Sequence, residues 1–181
     1  MLEEIALRLA ALANLPLRGY STFDFGRERD ERARSVIADK DSAEDLLLRF
    51  RAELPAGFVA FLGTTSWLGD ETHDGIELVV APGTSQFDIL RIARSDAVNY
   101  DMDTDALIDK LVQYDRAYGI DILHAETDTI EFALVQMPDP LDAFCADLYE
   151  FCPDIVEQGC ESVAALEEEI AAAGRVFLWW D

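Results

Sequence analysis

Apolar and polar positions change period along this chain, and the changes mark its elements. Leu2, Ile5, Leu9 and Leu12 recur at helical spacing, and Pro16 ends the helix they predict. Residues 27–40 are mostly charged and read as a solvated connector. Ser42-Ala43-Glu44-Asp45 is similar to a capping box, with Asp45 standing in for the usual Glu. Leu46, Leu47 and Phe50 form the apolar face of the helix it starts. Beyond Leu54-Pro55-Ala56-Gly57, a turn signal, short apolar runs at 58–62 and 76–81 predict strands around a polar loop, and Pro82-Gly83 stops the second.

A short helix is expected over 86–94 and a longer one over 104–118. In the longer one Leu107, Ile108, Leu111, Tyr114 and Tyr118 share a face, with Asp103 to cap its start and Gly119 to end it. Residues 120–125 and 129–136 read as a hairpin, because Ile130, Phe132 and Leu134 alternate with Glu131 and Ala133. Asp139-Pro140 opens a helix striped by Leu141, Phe144, Cys145, Leu148, Phe151 and Cys152, which Pro153 ends or bends. Val163, Leu166 and Ile170 mark a last helix over 162–173. The terminal Val176-Phe177-Leu178-Trp179-Trp180 is apolar on both faces and predicts a central strand.

Setting the short 86–94 helix aside, the order is a helical leader, then strand-strand-helix-strand-strand-helix-helix-strand. This predicts an α+β fold, a mostly antiparallel sheet with helices packed on one face, built on a ferredoxin-like core with one added strand. The 181 residues suffice for one domain with an extension. Residues 1–54 form the leader and 55–181 the α+β domain.

Charge narrows the function classes. The chain has 37 acids against 14 bases, a net of −23. Residues 1–54 are nearly neutral, with 11 acids and 9 bases, so the excess sits on 55–181. Such a surface argues against nucleic acid and against anionic membrane as partners. Three cysteines, an odd and small number, predict no disulfide framework and a reducing compartment. No signal peptide is read in residues 1–17, and no stretch is apolar for long enough to span a membrane. The expected place is the cytoplasm.

The stretch Tyr149-Glu150-Phe151-Cys152-Pro153-Asp154-Ile155-Val156-Glu157-Gln158-Gly159, followed by the terminal Leu178-Trp179-Trp180-Asp181, resembles an uncharacterised, mainly bacterial family, domain of unknown function 4253. Gln86-Phe87-Asp88-Ile89-Leu90-Arg91 and Asn99-Tyr100-Asp101 also resemble its pattern, so the likeness covers roughly 57–181. The combination of these pieces is specific where no single piece is. The segment His124-Ala125-Glu126-Thr127-Asp128 looks like only some members. The resemblance implies a shared fold and surface and carries no established activity. It nominates Asp88, Asn99, Tyr100, Asp101, Asp154, Gln158 and Asp181 as ligand- or partner-binding candidates.

Each candidate chemistry has a structural competitor. Cys152 is a nucleophile only if a base lowers its pKa, and its spacing from Cys145 suits a small buried side chain. Asp154 and Gln158 are unnatural core residues, able to tie down the turn after their helix. Asp101-Met102-Asp103-Thr104-Asp105 has the alternating oxygens of a calcium loop, but Ala106 stands where glycine belongs and Val112 where the closing Glu belongs. Helix capping explains the same acids. His124, Glu126 and Asp128, with His73, can hold a metal or do acid–base work only if they meet; the competing reading is a surface strand and a solvated loop. Trp179 and Trp180 suit core packing better than ligand stacking. Asp181 sets its side-chain carboxylate beside the terminal one and suits an Arg or Lys from the leader or a partner.

Two function classes follow. The first is a non-enzymatic module that captures a basic protein partner, in the manner of an immunity protein; that likeness is analogy from class. The alternative is a metal-dependent or acid–base enzyme that gathers Asp88, Asn99, Asp101, His124, Glu126 and Asp154. Binding ranks first because no catalytic constellation is complete and no glycine pattern cradles a phosphate. No cofactor is expected. A homodimer through a sheet edge or the leader is compatible with either reading.

Overall fold

The computed structural model describes residues 1–21, 29–64, 67–68, 71–72 and 74–181, with the side chains of 21, 29–31, 67–68 and 71–72 left aside. Seven strands make a mixed, mostly antiparallel sheet, and a helix opens the chain, so the class is α+β. The residues divide into two compact units. One holds Met1–Arg94 with His124–Thr127, the other Ser95–Leu123 with Asp128–Asp181.

In the first unit α1 (Leu2–Ala13) buries Ile5, Ala6 and Leu9. Asn14 ends it in the left-handed conformation, and Leu15 N–H reaches back to Ala10 O at 3.1 Å, a Schellman closure just ahead of Pro16. Strands β1 (Arg18–Ser21) and β2 (Arg29–Ala38) follow. The charged stretch read as a connector is therefore mainly strand. Its small residues explain why: Ala33, Ser35, Val36 and Ala38 are buried while β2 pairs antiparallel with β6 (Ile76–Pro82), Arg34 opposite Val80 and Ala38 opposite Ile76. Helix α2 (Ala43–Ala52) forms as expected, but not by a capping box. The Ser42 hydroxyl donates instead to Asp39 O at 3.3 Å.

Strand β3 (Phe58–Leu62) covers the other edge of β6, also antiparallel. Both faces of β6 are buried: Glu77, Val79 and Ala81 point one way, Leu78 and Val80 the other. Short β4 (Trp67–Leu68) and β5 (Glu71–Thr72) make a separate two-stranded ribbon. Helix α3 (Asp88–Ala93) closes this part. The ferredoxin-like arrangement would seat the last strand of the chain beside β6. Here β2 and β3 hold both sides of β6, so that arrangement is not formed: the leader supplied a strand where none was expected.

The second unit starts with a tight loop. Ala97 and Met102 exchange backbone hydrogen bonds of 2.8 and 3.2 Å across the turn Val98–Tyr100. Helix α4 (Thr104–Tyr118) follows, capped by Asp103, whose Oδ1 accepts from Ala106 N–H at 2.9 Å. Strand β7 (Ile120–Ala125) runs from this unit into the first, where His124 lies opposite Leu62 of β3 in parallel register. Strand β8 (Thr129–Leu134), helix α5 (Leu141–Phe151), a wide helical turn Ile155–Cys160, helix α6 (Val163–Ala173) and strand β9 (Arg175–Trp179) complete the chain. Pro140 precedes α5 as its N-cap instead of forming its first turn. Ser162 caps α6 by accepting Ala165 N–H at 3.1 Å.

Tyr114 anchors the core of this unit, meeting Phe144 at 5.2 Å and Phe151 at 6.3 Å edge-on. Such pairs add about 0.5–1.5 kcal/mol each beyond burial. Among the described residues β9 pairs only with β8, Thr129 opposite Trp179 and Ala133 opposite Arg175. It is an edge strand, not the central strand its apolar run suggests. Val176, Leu178 and Trp180 are buried, but Phe177 is 53% exposed.

Candidate functional site

Three of the family-like motifs, NYD, FCPD with its following Gln158, and LWWD, converge on one buried carboxylate. Asp154 stands at the start of the turn after α5 and is 4% exposed. Its Oδ1 accepts from the Tyr100 hydroxyl at 2.8 Å and from Gln158 Nε2 at 3.1 Å. Its Oδ2 accepts from the Asp181 backbone N–H at 2.9 Å. Burial acts to raise the Asp154 pKa, but the three donors outweigh it and hold the carboxyl below its ordinary value. The bond to Asp154, helped by burial and the nearby charge, pushes Tyr100 up to about 12, so its hydroxyl stays protonated and donating.

Two neighbours complete the joint. Cys152 Sγ donates to Trp179 O at 3.0 Å, and Trp180 Nε1 donates to Phe151 O at 3.3 Å. The Trp180 ring meets Phe151 edge-on at 5.4 Å. The NYD, FCPD and LWWD segments thus hold one another. Cys152 is fully buried, and that burial pushes its thiol up to about 12. It packs and donates; it is not a poised nucleophile.

What this joint positions is an acidic pocket of about 250 Å³ lined by Asp96, Ala97, Val98, Asn99, Asp128, Trp180 and Asp181. Tyr100 fixes the loop that carries Asn99, and the tether on Asp181 N–H fixes the facing residue. Among the described residues no basic side chain lines the pocket. Burial, and beyond it the Asp128 charge, push the Asp96 carboxyl up, although a bond from Val98 N–H opposes them. A buried carboxyl beside a second negative charge is the electrostatic setting that favours a cation. Sequence reasoning missed Asp96. Its only signal was its place three residues ahead of the NYD segment.

The remaining candidates are engaged locally. Asp101 is exposed and left-handed (φ 55°), a conformation that aspartate tolerates better than most residues. The calcium-loop reading fails at Asp103, which caps α4. Asp88 belongs to the first unit, where it accepts from the N–H groups of Thr84 (2.8 Å) and Ser85 (3.0 Å), with Arg91 at 3.5 Å. Against the cost of its burial these contacts hold its carboxyl below the ordinary value.

His124 and Glu126 do share a face, with His124 Nε2 3.0 Å from Glu126 Oε1. The same nitrogen lies 2.9 Å from the Gly63 carbonyl, which can only accept, so Nε2 carries a hydrogen and offers no lone pair to a metal. Asp128 falls in the other unit and accepts from the Thr129 hydroxyl at 3.1 Å. His73, with Asp70, lies outside the described residues. Among the described residues no group of three or more His, Cys, Asp or Glu can hold a metal ion.

Glu77 on β6 was overlooked as well. It is fully buried and accepts from the Ser35 hydroxyl at 2.6 Å. The signal was visible: one acid inside an otherwise apolar strand.

The profile of one family, Domain of unknown function (DUF4253), matches residues 77–181. No curated protein and no solved structure matches the chain. All residues lining the acidic pocket fall inside the matched span.

Proposed function

The chain belongs to the family Domain of unknown function (DUF4253), and from that premise we propose that it is a non-enzymatic module that captures a basic protein partner. The observation that carries this reading is the pocket lined by Asp96, Asp128 and Asp181, where Asp154, itself held by Tyr100, tethers the Asp181 backbone. Its volume of about 250 Å³ suits a guanidinium or ammonium head group with part of its stem. A fixed cation there relieves the repulsion between Asp96 and Asp128. The net charge of −23 adds long-range attraction and speeds encounter. Three free thiols, two of them buried, suit the cytoplasm of a bacterium, where we place the protein. No described helix is long and apolar enough to cross a membrane.

The enzyme reading finds no observation in its favour. Asp88, His124, Glu126 and Asp154 each hydrogen-bond within the protein, and Asp88 belongs to a different unit from Asp154.

The test is a carbon-detected NMR titration of the aspartate carboxyls with a blocked tetra-arginine peptide. Binding is expected to move the Asp96 and Asp128 signals and to lower the Asp96 pKa, because a bound cation favours the charged form. Raising salt from about 0.05 to 0.5 M should weaken it strongly. The Asp96→Asn, Asp128→Asn double variant should lose it. Unmoved carboxyl signals at Asp96, Asp128 and Asp181 refute the proposal.

A further inference from the structure

We infer that β9 is a docking edge, along which an extended basic segment of the partner adds as a further strand. The inference rests on the reading above, that the partner is basic, and concerns a second surface that grips its backbone. In an antiparallel ladder successive residues turn their backbone groups alternately toward and away from the neighbouring strand. Leu134 N–H donates to Gly174 O at 2.9 Å, and Trp180 N–H donates to Asp128 O at 3.1 Å. Gly174, Val176, Leu178 and Trp180 therefore face β8, while Arg175, Phe177 and Trp179 face away. The Trp179 carbonyl already accepts from Cys152 Sγ. The N–H and C=O of Phe177 meet no hydrogen-bond partner among the described residues.

Beyond Arg175 the edge carries few of the usual protections. β9 has no proline, no lysine and a regular register with β8. By contrast β1, which among the described residues pairs only with β2, carries a register shift between Gly19 and Tyr20.

A groove of about 360 Å³ runs beside β9. Phe177, Trp179, Leu166 and Ile170 give it an apolar lining, and Glu131 and Glu169 stand on it. Arg175, 3.6 Å from Glu131, is the basic residue there. An added strand sends alternate side chains into such a groove while its backbone bonds the edge. Charge selects the occupant. A second copy of this chain brings another −23 and is repelled, whereas a segment alternating apolar and basic residues is attracted.

The experiment uses the full chain, labelled with nitrogen-15, and a blocked heptapeptide of alternating lysine and valine. We expect amide shifts at Arg175, Phe177 and Trp179 and slowed hydrogen exchange at Phe177 N–H. Phe177→Pro removes the outward N–H and leaves the ladder to β8, since an edge strand tolerates proline there. It should weaken binding about ten-fold. If circular dichroism shows that variant misfolded, N-methylation of the peptide's central valine gives the same loss from the other side. Binding of the Asp96→Asn, Asp128→Asn chain at β9 supports the edge independently of the pocket.

Shifts confined to Asp96, Asn99, Asp128 and Asp181 overturn the docking edge and leave the pocket standing. Equal binding of a glutamate–valine peptide overturns the charge selection. Absence of peptide binding overturns the inference, as does a free chain that dimerises through Phe177 in sedimentation equilibrium.

Discussion

Replacing Asp154 by asparagine exchanges one oxygen for an amide and should release the Asp181 backbone. Oδ1 serves two donors, Tyr100 and Gln158, while Oδ2 serves Asp181 N–H alone. Asparagine has a single side-chain oxygen. The orientation that keeps two bonds sets Nδ2 against Asp181 N–H, donor facing donor. One hydrogen bond to a charged group is lost, worth about 1.5–3 kcal/mol, and the remaining two lose the charge that strengthens them. Urea unfolding followed by tryptophan fluorescence reads this directly, because Trp179 and Trp180, two of the three tryptophans, lie in the same unit.

The pH dependence has a definite sign. The folded pKa of Asp154 is depressed below 3.8, so its contribution is present above that value and fades as pH falls through the folded pKa. The gap between the wild type and Asp154→Asn should be full at pH 7 and close as the pH falls through the depressed folded value. A difference under about 0.5 kcal/mol at neutral pH, or a gap that widens in acid, refutes the account of Asp154 as the ionised centre of the joint.

Two further outcomes are expected. Asp103→Ala should cost about 1 kcal/mol in the same unfolding assay, since it leaves Ala106 N–H without its cap; an unchanged midpoint means that the cap contributes nothing. A colorimetric thiol titration of the native chain at pH 8 should modify Cys160, the half-exposed thiol, while Cys145 and Cys152 react only in urea. Burial pushes those two up to about 11 and about 12, and rapid native labelling of Cys152 contradicts its packing role.

Local patterns carried much of the second unit. The period of Leu107, Leu111 and Tyr114 with Asp103 and Gly119 at its ends marked α4, and the alternation around Ile130 and Phe132 marked β8. These signals are read within a few residues, and nothing distant overrides them. The charged stretch of β2 was illegible for the opposite reason. Its Arg and Glu side chains mask a backbone whose state depends on pairing with β6, far along the chain. The capping box at Ser42 failed because a short polar side chain has several near backbone partners, and Asp39 O is the one it takes.

The candidate site divides the same way. Residue types and their spacing singled out Asn99, Tyr100, Asp154, Gln158 and Asp181 without stating what joins them. The sequence by itself determined an α+β chain with a strongly acidic second part, its helix ends, and the segments that matter. Only the tertiary structure decided that Asp154 binds Tyr100, Gln158 and Asp181 together, that Asp96 and Asp128 share a pocket, and that β9 lies at an edge. The physical reason is range. Periodicity and capping act over a turn of helix or a pair of residues, whereas hydrogen bonds across 54 and 27 positions exist only once the strands have chosen their neighbours.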